Sequence, residues 1–188
     1  MSGGASLPGP GTCVAEARAL EVDQARFTAG MRQLAAGVTL VTTAGEGTKA
    51  GLTATAVCSV SAEPPQLLAC VNREAEAHRL LLATGHLAVN LLSAGQQEMA
   101  DRFAGRTGID GEARFGAGRW TTLVTGSPIL EEALVSFDCR IVTAHEAGTH
   151  TIFIARVLDL VVRPGPGPMI YVDGRYGQVE RSGFASRP

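Results

Sequence analysis

The run from Gly51 to Pro65, Gly-Leu-Thr-Ala-Thr-Ala-Val-Cys-Ser-Val-Ser-Ala-Glu-Pro-Pro, combines small side chains with hydroxyls in what otherwise reads as a buried strand. An ordinary core strand fills such positions with Val, Ile or Leu. Thr, Ala and Ser keep the surface low and the hydroxyls available, which suits a flat ligand with a polar edge lying against the sheet. Tight packing on a neighbouring sheet or subunit asks for the same residues, and the segment alone does not separate the two. His145 and His150 flank an expected hairpin turn but lack a third ligand, so no metal site is expected. His150 points at a ligand or fills a hydrogen-bonded niche. The cysteines, Cys13, Cys58, Cys70 and Cys139, form no C-x-x-C pair, and three sit in apolar strand-like runs. They read as small buried hydrophobes. The chain has no G-x-S-x-G, no G-x-x-x-x-G-K-[ST], and no G-x-G-x-x-G that follows a strand and opens a helix. Gly45-Glu46-Gly47 precedes a strand and is a hairpin turn.

These residues need a scaffold, and the pattern supplies one. Asp23 is placed to cap a helix whose Phe27, Met31 and Leu34 share one face, with Gly37 ending it. Val38–Thr43 is a β-branched strand, and Lys49 to Val60 is its return across the Gly45–Gly47 turn. Pro64 and Pro65 stop that strand, and Gln66–Asn72 follows as another. His78–Thr84 is a short helix closed by Gly85, and Leu87–Leu92 a strand. Ser93-x-x-Gln96 is a capping box opening a helix to about Phe103, with Met99, Ala100 and Phe103 on its apolar face. Gly105 to Gly118, rich in glycine and charge, reads as a long functional surface loop. Leu134–Ala144 and Thr149–Val162 form a hairpin through Glu146-Ala147-Gly148, and Met169–Val172 is a last short strand. Six or more strands with short helices between them imply a mainly β fold, an antiparallel barrel closed to avoid exposed edges.

Composition fits one domain. The chain has 188 residues, enough for a sizeable core. A net charge of -2 carries no basic excess for nucleic acid. Only 18% of residues are charged, below the usual quarter, so another subunit is expected to cover some surface. No apolar run reaches the ~20 residues of a membrane helix. The first residues lack a secretory pattern, so a cytoplasmic protein is expected. Residues 1–22 are glycine- and proline-rich and read as a flexible extension, 23–180 as the folded domain and 181–188 as a tail.

The absence of acid, base and nucleophile motifs suits chemistry carried by a cofactor. Hydride transfer to a bound flavin needs no obligatory side-chain acid or base, only two rings held face to face. The residues also carry a resemblance. Phe27 to Val41, F-x-x-x-M-x-x-L-A-A-G-V-T-L-V, resembles the start of the short-chain flavin reductases, the reductase components of two-component flavin-dependent monooxygenases. Further matches follow in order: Gly51–Ala56 with Ser59–Pro65, Cys70-Val-Asn-Arg73, Ala88–Leu92, Gln97–Gly105, Gly148–Ile154 and Tyr171–Gly177. The resemblance covers about residues 24 to 178. It implies a dimeric, FMN-binding split barrel with flavin sites near the subunit interface. It also implies an NAD(P)H:flavin oxidoreductase that reduces FMN or FAD with NADH or NADPH and passes reduced flavin to a separate monooxygenase.

Carried over by position, the resemblance places Thr53, Ala54, Thr55 and Ala56 along the flavin ring and ribityl chain. Asn72 and Arg73 approach the ribityl-phosphate end, where Arg73 offers charge-assisted bonds, the bland alternative being a solvated arginine. Phe103, Ala104 and Gly105 border the cofactor, although Phe103 equally fits the helix core. His150 falls on the nicotinamide side. Tyr171, Asp173, Gly174, Arg175 and Tyr176 form a turn that closes over the site or lines a dimer interface. Two departures stand out: Ala56 where many relatives have Ser, and Glu74-Ala-Glu76-Ala77 where many have hydroxyls. Two carboxylates repel a phosphate, so Arg79, Arg102 or Arg106 is needed to offset them. FMN against FAD, and NADH against NADPH, stay open. The alternatives to a flavin reductase are a split-barrel enzyme with a tightly held flavin acting on another small molecule, or a non-catalytic flavin-binding dimer module.

Overall fold

A computed structural model describes residues 22–179. The expected extension lies outside the described residues except for Val22, as do Cys13 and the 181–188 tail. The chain divides into two units at Leu34/Ala35. In the first, Asp23 accepts the Arg26 backbone N–H at 2.8 Å and caps helix α1 (Gln24–Met31). Phe27, Met31 and Leu34 are all exposed. The helix stops well before Gly37, because Ala36–Gly37 forms strand β1, whose backbone pairs with Tyr171 and Ile170.

The second unit is an antiparallel barrel. Its strands are β2 (Thr39–Gly45), β3 (Thr48–Ala54), β4 (Val57–Ala62), β5 (Pro65–Asn72), β6 (His86–Leu91), β9 (Val135–Ala147) and β10 (His150–Val162). They form one sheet in the order β3-β2-β6-β9-β10-β5-β4. β2 and β3 join through Glu46 and Gly47, both at positive φ, the primed turn that matches strand twist. The expected single strand from Lys49 to Val60 is two strands at opposite ends of that order. Ala54 still pairs with Thr39, but the next residue of β2's side, Val38, donates its N–H to Met169 O and accepts from Leu92 N. Thr55 therefore has no ladder partner, and the chain turns at Thr55–Ala56 from one edge strand into the other. That corner brings the two edges of the sheet together.

β2 is buried on both faces, as its unbroken apolar-and-threonine run requires. One face joins Val41 to Leu67, Val71, Leu87, Val89 and Phe153 inside the barrel. Helix α2 (Glu76–Thr84) adds Leu81 to this cluster, and Gly85, left-handed at φ 67°, closes it. The other face joins Val38 and Leu40 to Leu92, Ala100, Phe103, Phe115, Leu130 and Met169. Helix α3 (Gln97–Phe103) covers that side. Only half of the expected capping box forms. Gln96 Oε1 accepts from Ser93 N at 2.7 Å and Ser93 Oγ at 3.0 Å, and the helix starts after Gln96.

The 105–118 segment is not simply a surface loop. Gly111–Gly116 is a 3-10 turn that buries Phe115 edge-on against Phe103. A hairpin of β7 (Trp120–Thr122) and β8 (Pro128–Leu130), not expected from the pattern, follows. Asn90 holds β8 in place: its Oδ1 accepts from Leu130 N at 2.9 Å, and its Nδ2 donates to Leu40 O, Thr42 Oγ1 and Pro128 O. β11 (Met169–Val172) pairs with β1 and with β12 (Arg175–Gln178) through a primed turn at Asp173 and Gly174. Among the described residues no helix is long and apolar enough to cross a membrane.

Candidate functional site

The corner between β3 and β4 is the natural centre of the site. Ala56 O accepts from Cys70 N at 2.9 Å, so the corner runs antiparallel along β5 toward Asn72. Thr53 does not offer a free hydroxyl: it donates to Ala100 O of α3 at 2.6 Å. Ala54 is buried, and its carbonyl accepts from Thr39 Oγ1. Thr53 and Thr55, both half-buried, and Ala56, exposed, are the residues of this group that reach the surface. Gly51 has a packing cause. A Cβ there would lie 2.9 Å from Phe103 Cε1, so the small residue makes room for the ring.

On the α3 side, Phe103 is 1% exposed among Phe115 and Trp120, leaving its ring no surface for a ligand. The helix-core alternative is the one realised. Ala104 and Gly105 are exposed at the end of α3. The C-terminal hairpin meets the same end. Tyr176 Oη donates to Asp101 Oδ1 at 3.2 Å, and Arg106 Nη1 donates to both Asp101 Oδ1 and Tyr176 Oη. Tyr171 and Tyr176, paired across the hairpin, have ring centroids 5.3 Å apart. Hydrogen bonds to Tyr171 and Asp101 hold the Arg106 guanidinium above its ordinary pKa, and burial raises the Tyr176 phenol. Asp173, Gly174 and Arg175 are exposed at the turn.

The other side is a groove of about 620 Å³ lined by Asn72, Arg73, Glu74, His78, Gly148 and Thr149, within the range of small-molecule sites. Asn72 Oδ1 accepts from Glu74 N at 3.0 Å, turning the chain from β5 into α2. Arg73 N donates to Thr149 O, and its Nη1 pairs with Glu146 Oε2 at 3.2 Å. His78 is buried, with Nε2 2.8 Å from Thr151 Oγ1 and its ring against Phe153. His150 lies opposite Asn72 across β5–β10, exposed, with Nδ1 2.9 Å from Thr149 Oγ1. His145 lies opposite Ile152 and His150 opposite Ala147, so the two histidines do not face each other. Among the described residues no cluster suits a metal ion.

Thus Asn72, Arg73 and His150 gather at one end of β5–β10. Thr53, Ala104, Gly105, Tyr171 and Tyr176 gather around α3, and Thr55–Ala56 joins the groups. Pattern reading missed His78, Glu146 and Thr149. Glu146 was legible only as part of a turn, and His78 only as a helix residue. Of the arginines expected to offset Glu74, Arg106 is engaged by Asp101, and Arg102 lies 3.9 Å from Glu98. Cys139 is buried, and desolvation pushes its thiol up to about 12. Cys58, expected inside, is exposed because the outermost strand β4 turns it away from the core.

A flat ligand with an anionic end fits these residues: a corner of small side chains, a carbonyl- and hydroxyl-lined strand end, and a half-exposed guanidinium in a groove. The fold and candidate site are those of an antiparallel barrel with a groove of small-molecule size. The chain belongs to the family described as the flavin reductase like domain, which it matches over residues 31–180. It is 46% identical over 165 residues to the FMN reductase (NADH) RutF of Agrobacterium fabrum, covering 88% of this chain and 91% of that protein. Among solved structures it resembles nitrilotriacetate monooxygenase component B from Mycobacterium thermoresistibile, with a TM-score of 0.80 and 28% identity over 93% of this chain and 94% of that one. A Streptomyces globisporus NADH:FAD oxidoreductase, solved with NAD and FAD fragments, aligns with a TM-score of 0.78 and 30% identity over 86% of this chain and 96% of that one.

Proposed function

We propose that this protein is an NADH-dependent flavin reductase that takes FMN as its flavin and passes the reduced form to a separate monooxygenase. The near full-length identity to an FMN reductase (NADH) carries this reading. A bound flavin would supply the chemistry here as acceptor of a hydride from NADH, with the accompanying proton coming from solvent. Thr55, Ala56 and the adjoining backbone form a low surface for the ring. Ala104, Gly105 and the Tyr171–Tyr176 hairpin with Gly174 and Arg175 border it on the α3 side. Asn72 and Arg73 hold the phosphate end, and His150 meets the nicotinamide. The site chiefly positions two rings and excludes water from between them.

A homodimer is part of the proposal. Leu158, Leu160 and Val162 on β10 and Val60 on β4 are exposed apolar residues, the kind of surface a second copy covers. The assignment is cytoplasmic, where reduced nicotinamide is available. The deciding assay is steady-state nicotinamide oxidation, crossing NADH and NADPH with FMN, FAD and riboflavin. Turnover with NADH and FMN above all other pairs is expected. No oxidation by a correctly folded protein with any pair would overturn the reading. Light scattering checks the dimer.

A further inference from the structure

The groove at the end of β5 carries an electrostatic conflict. Arg73, 46% exposed in its side chain, is the basic residue lining it. It does not point freely at an incoming anion, because Glu146 Oε2 sits 3.2 Å from its Nη1. Strand register explains the reach. Glu146 of β9 lies directly opposite Thr151 of β10, which lies opposite Val71 of β5. Residues opposite one another in a sheet share a face. Thr151 faces inward, 2% exposed and bonded to His78. Glu146 therefore lies on the groove's face of the hairpin. Glu74 puts a carboxylate in the groove lining itself.

We propose that Glu146 is a specificity-determining residue of the flavin site. By holding Arg73 it competes with the ligand's phosphate, weakens binding of the phosphorylated flavin, and keeps that flavin exchangeable. This rests on the reading that Arg73 meets the phosphate. The chemistry is simple competition. A guanidinium binds carboxylate and phosphate through the same N–H fork, so phosphate must displace the Glu146 carboxylate or share the fork with it. Weak binding suits the proposed activity, because reduced flavin must leave to reach another enzyme. A reductase with an unopposed arginine would retain it longer.

Equilibrium titration of the oxidised protein by flavin fluorescence, without nicotinamide and at fixed ionic strength, tests this. FMN and riboflavin are the probes, since they differ by the phosphate alone. Exposed ion pairs are weak, so Glu146→Gln is expected to tighten FMN by about two- to fivefold and leave riboflavin unchanged. Glu146→Asp, which keeps the charge, should remain near wild type. Arg73→Gln should abolish the preference for FMN over riboflavin. If Arg73→Gln does so while Glu146→Gln leaves FMN binding unchanged or weakens it, the role of Glu146 is overturned and the phosphate reading stands. If Arg73→Gln leaves the FMN-to-riboflavin ratio untouched, the phosphate reading falls and the competition with it. Glu146 is exposed at a hairpin end, so its variants are expected to fold, and thermal midpoints check this.

Discussion

Replacing Gly51 by alanine tests whether the small residues of β3 are there for packing. The added Cβ would lie 2.9 and 3.1 Å from Phe103 Cε1 and Cδ1, and 3.0 Å from Thr42 Cγ2. Carbon atoms rest at about 3.5–4.0 Å, so the shortfall is roughly half an ångström or more on two sides. The ring has little room to yield. It is 1% exposed, with Phe115 edge-on at 5.0 Å and Trp120 at 5.6 Å. Overpacking of this kind costs about 1–3 kcal/mol. Removing a glycine from a strand returns about 0.5–1 kcal/mol. Mid-range values give a net loss of about 1 kcal/mol and the extremes about 0–2.5 kcal/mol, a midpoint lowered by up to roughly 10 °C in a chain of this size. Gly51→Val should fall further. Thermal unfolding of Gly51→Ala, Phe103→Leu and the double variant is the assay. Because the two sites touch, the double variant should recover about 0.5 kcal/mol or more relative to the sum of the singles. A Gly51→Ala midpoint at or above wild type, or strict additivity with Phe103→Leu, would refute the steric account.

Asn90→Leu orphans the buried Leu130 N–H and should cost about 1–3 kcal/mol, read by urea unfolding; an unchanged midpoint would mean β8 is held otherwise. Tyr176→Phe keeps the ring against Tyr171 but loses its bonds to Asp101 and Arg106, an expected loss of about 0.5–1.5 kcal/mol that shrinks in an Asp101→Ala background, where only the bond from Arg106 is left to lose, both read by thermal midpoint. Among the described cysteines, a thiol reagent at mildly alkaline pH should modify Cys58 first and Cys139 last, with peptide mass mapping as the readout. The Cys139 thiol is raised from 9.0 to about 12 on folding, so the unfolded chain loses its proton first. Stability therefore falls as pH rises from 9 toward 12, and Cys139→Ala should flatten that fall in the pH dependence of the unfolding midpoint.

Elements whose signal is local were legible in the sequence. Asp23 caps α1, Glu46–Gly47 turns β2 into β3, Gly85 ends α2, and β5, β6 and the β9–β10 hairpin lie where periodicity puts them. What escaped depends on partners distant in sequence. Nothing near Thr55 reveals that Val38's backbone is taken by Met169 and Leu92, yet that diversion breaks the expected long strand. Phe115 sits in a glycine-rich, charged stretch that looks like surface, and its burial needs Phe103 and Trp120 to be placed first. The site was half legible for the same reason. Asn72, Arg73 and His150 converge because their strands pair, while Glu146 enters through the register of one further strand, β9.

The Gly51–Pro65 run also shows why composition left two explanations open: different residues in it obey different causes. Gly51 is small because the Phe103 ring occupies its Cβ space. The Thr53 hydroxyl is committed to α3, where it donates to Ala100 O at 2.6 Å as a second donor beside Ala104 N. Ala54 is buried, and its carbonyl serves Thr39. Thr55 and Ala56 stand at the corner, half-buried and exposed respectively, and it is Thr55 whose ladder partner, Val38, is diverted. The packing explanation therefore covers Gly51 to Ala54, and the surface proposed for a flat ligand begins at the corner. Ala56 then matters less for a missing hydroxyl than for its place: its carbonyl is committed to Cys70 N, and its short side chain leaves the corner low. The proposed place for the anionic end of a ligand on that corner is three residues past Cys70, where the Arg73 guanidinium is held by Glu146 and Glu74 lines the same groove.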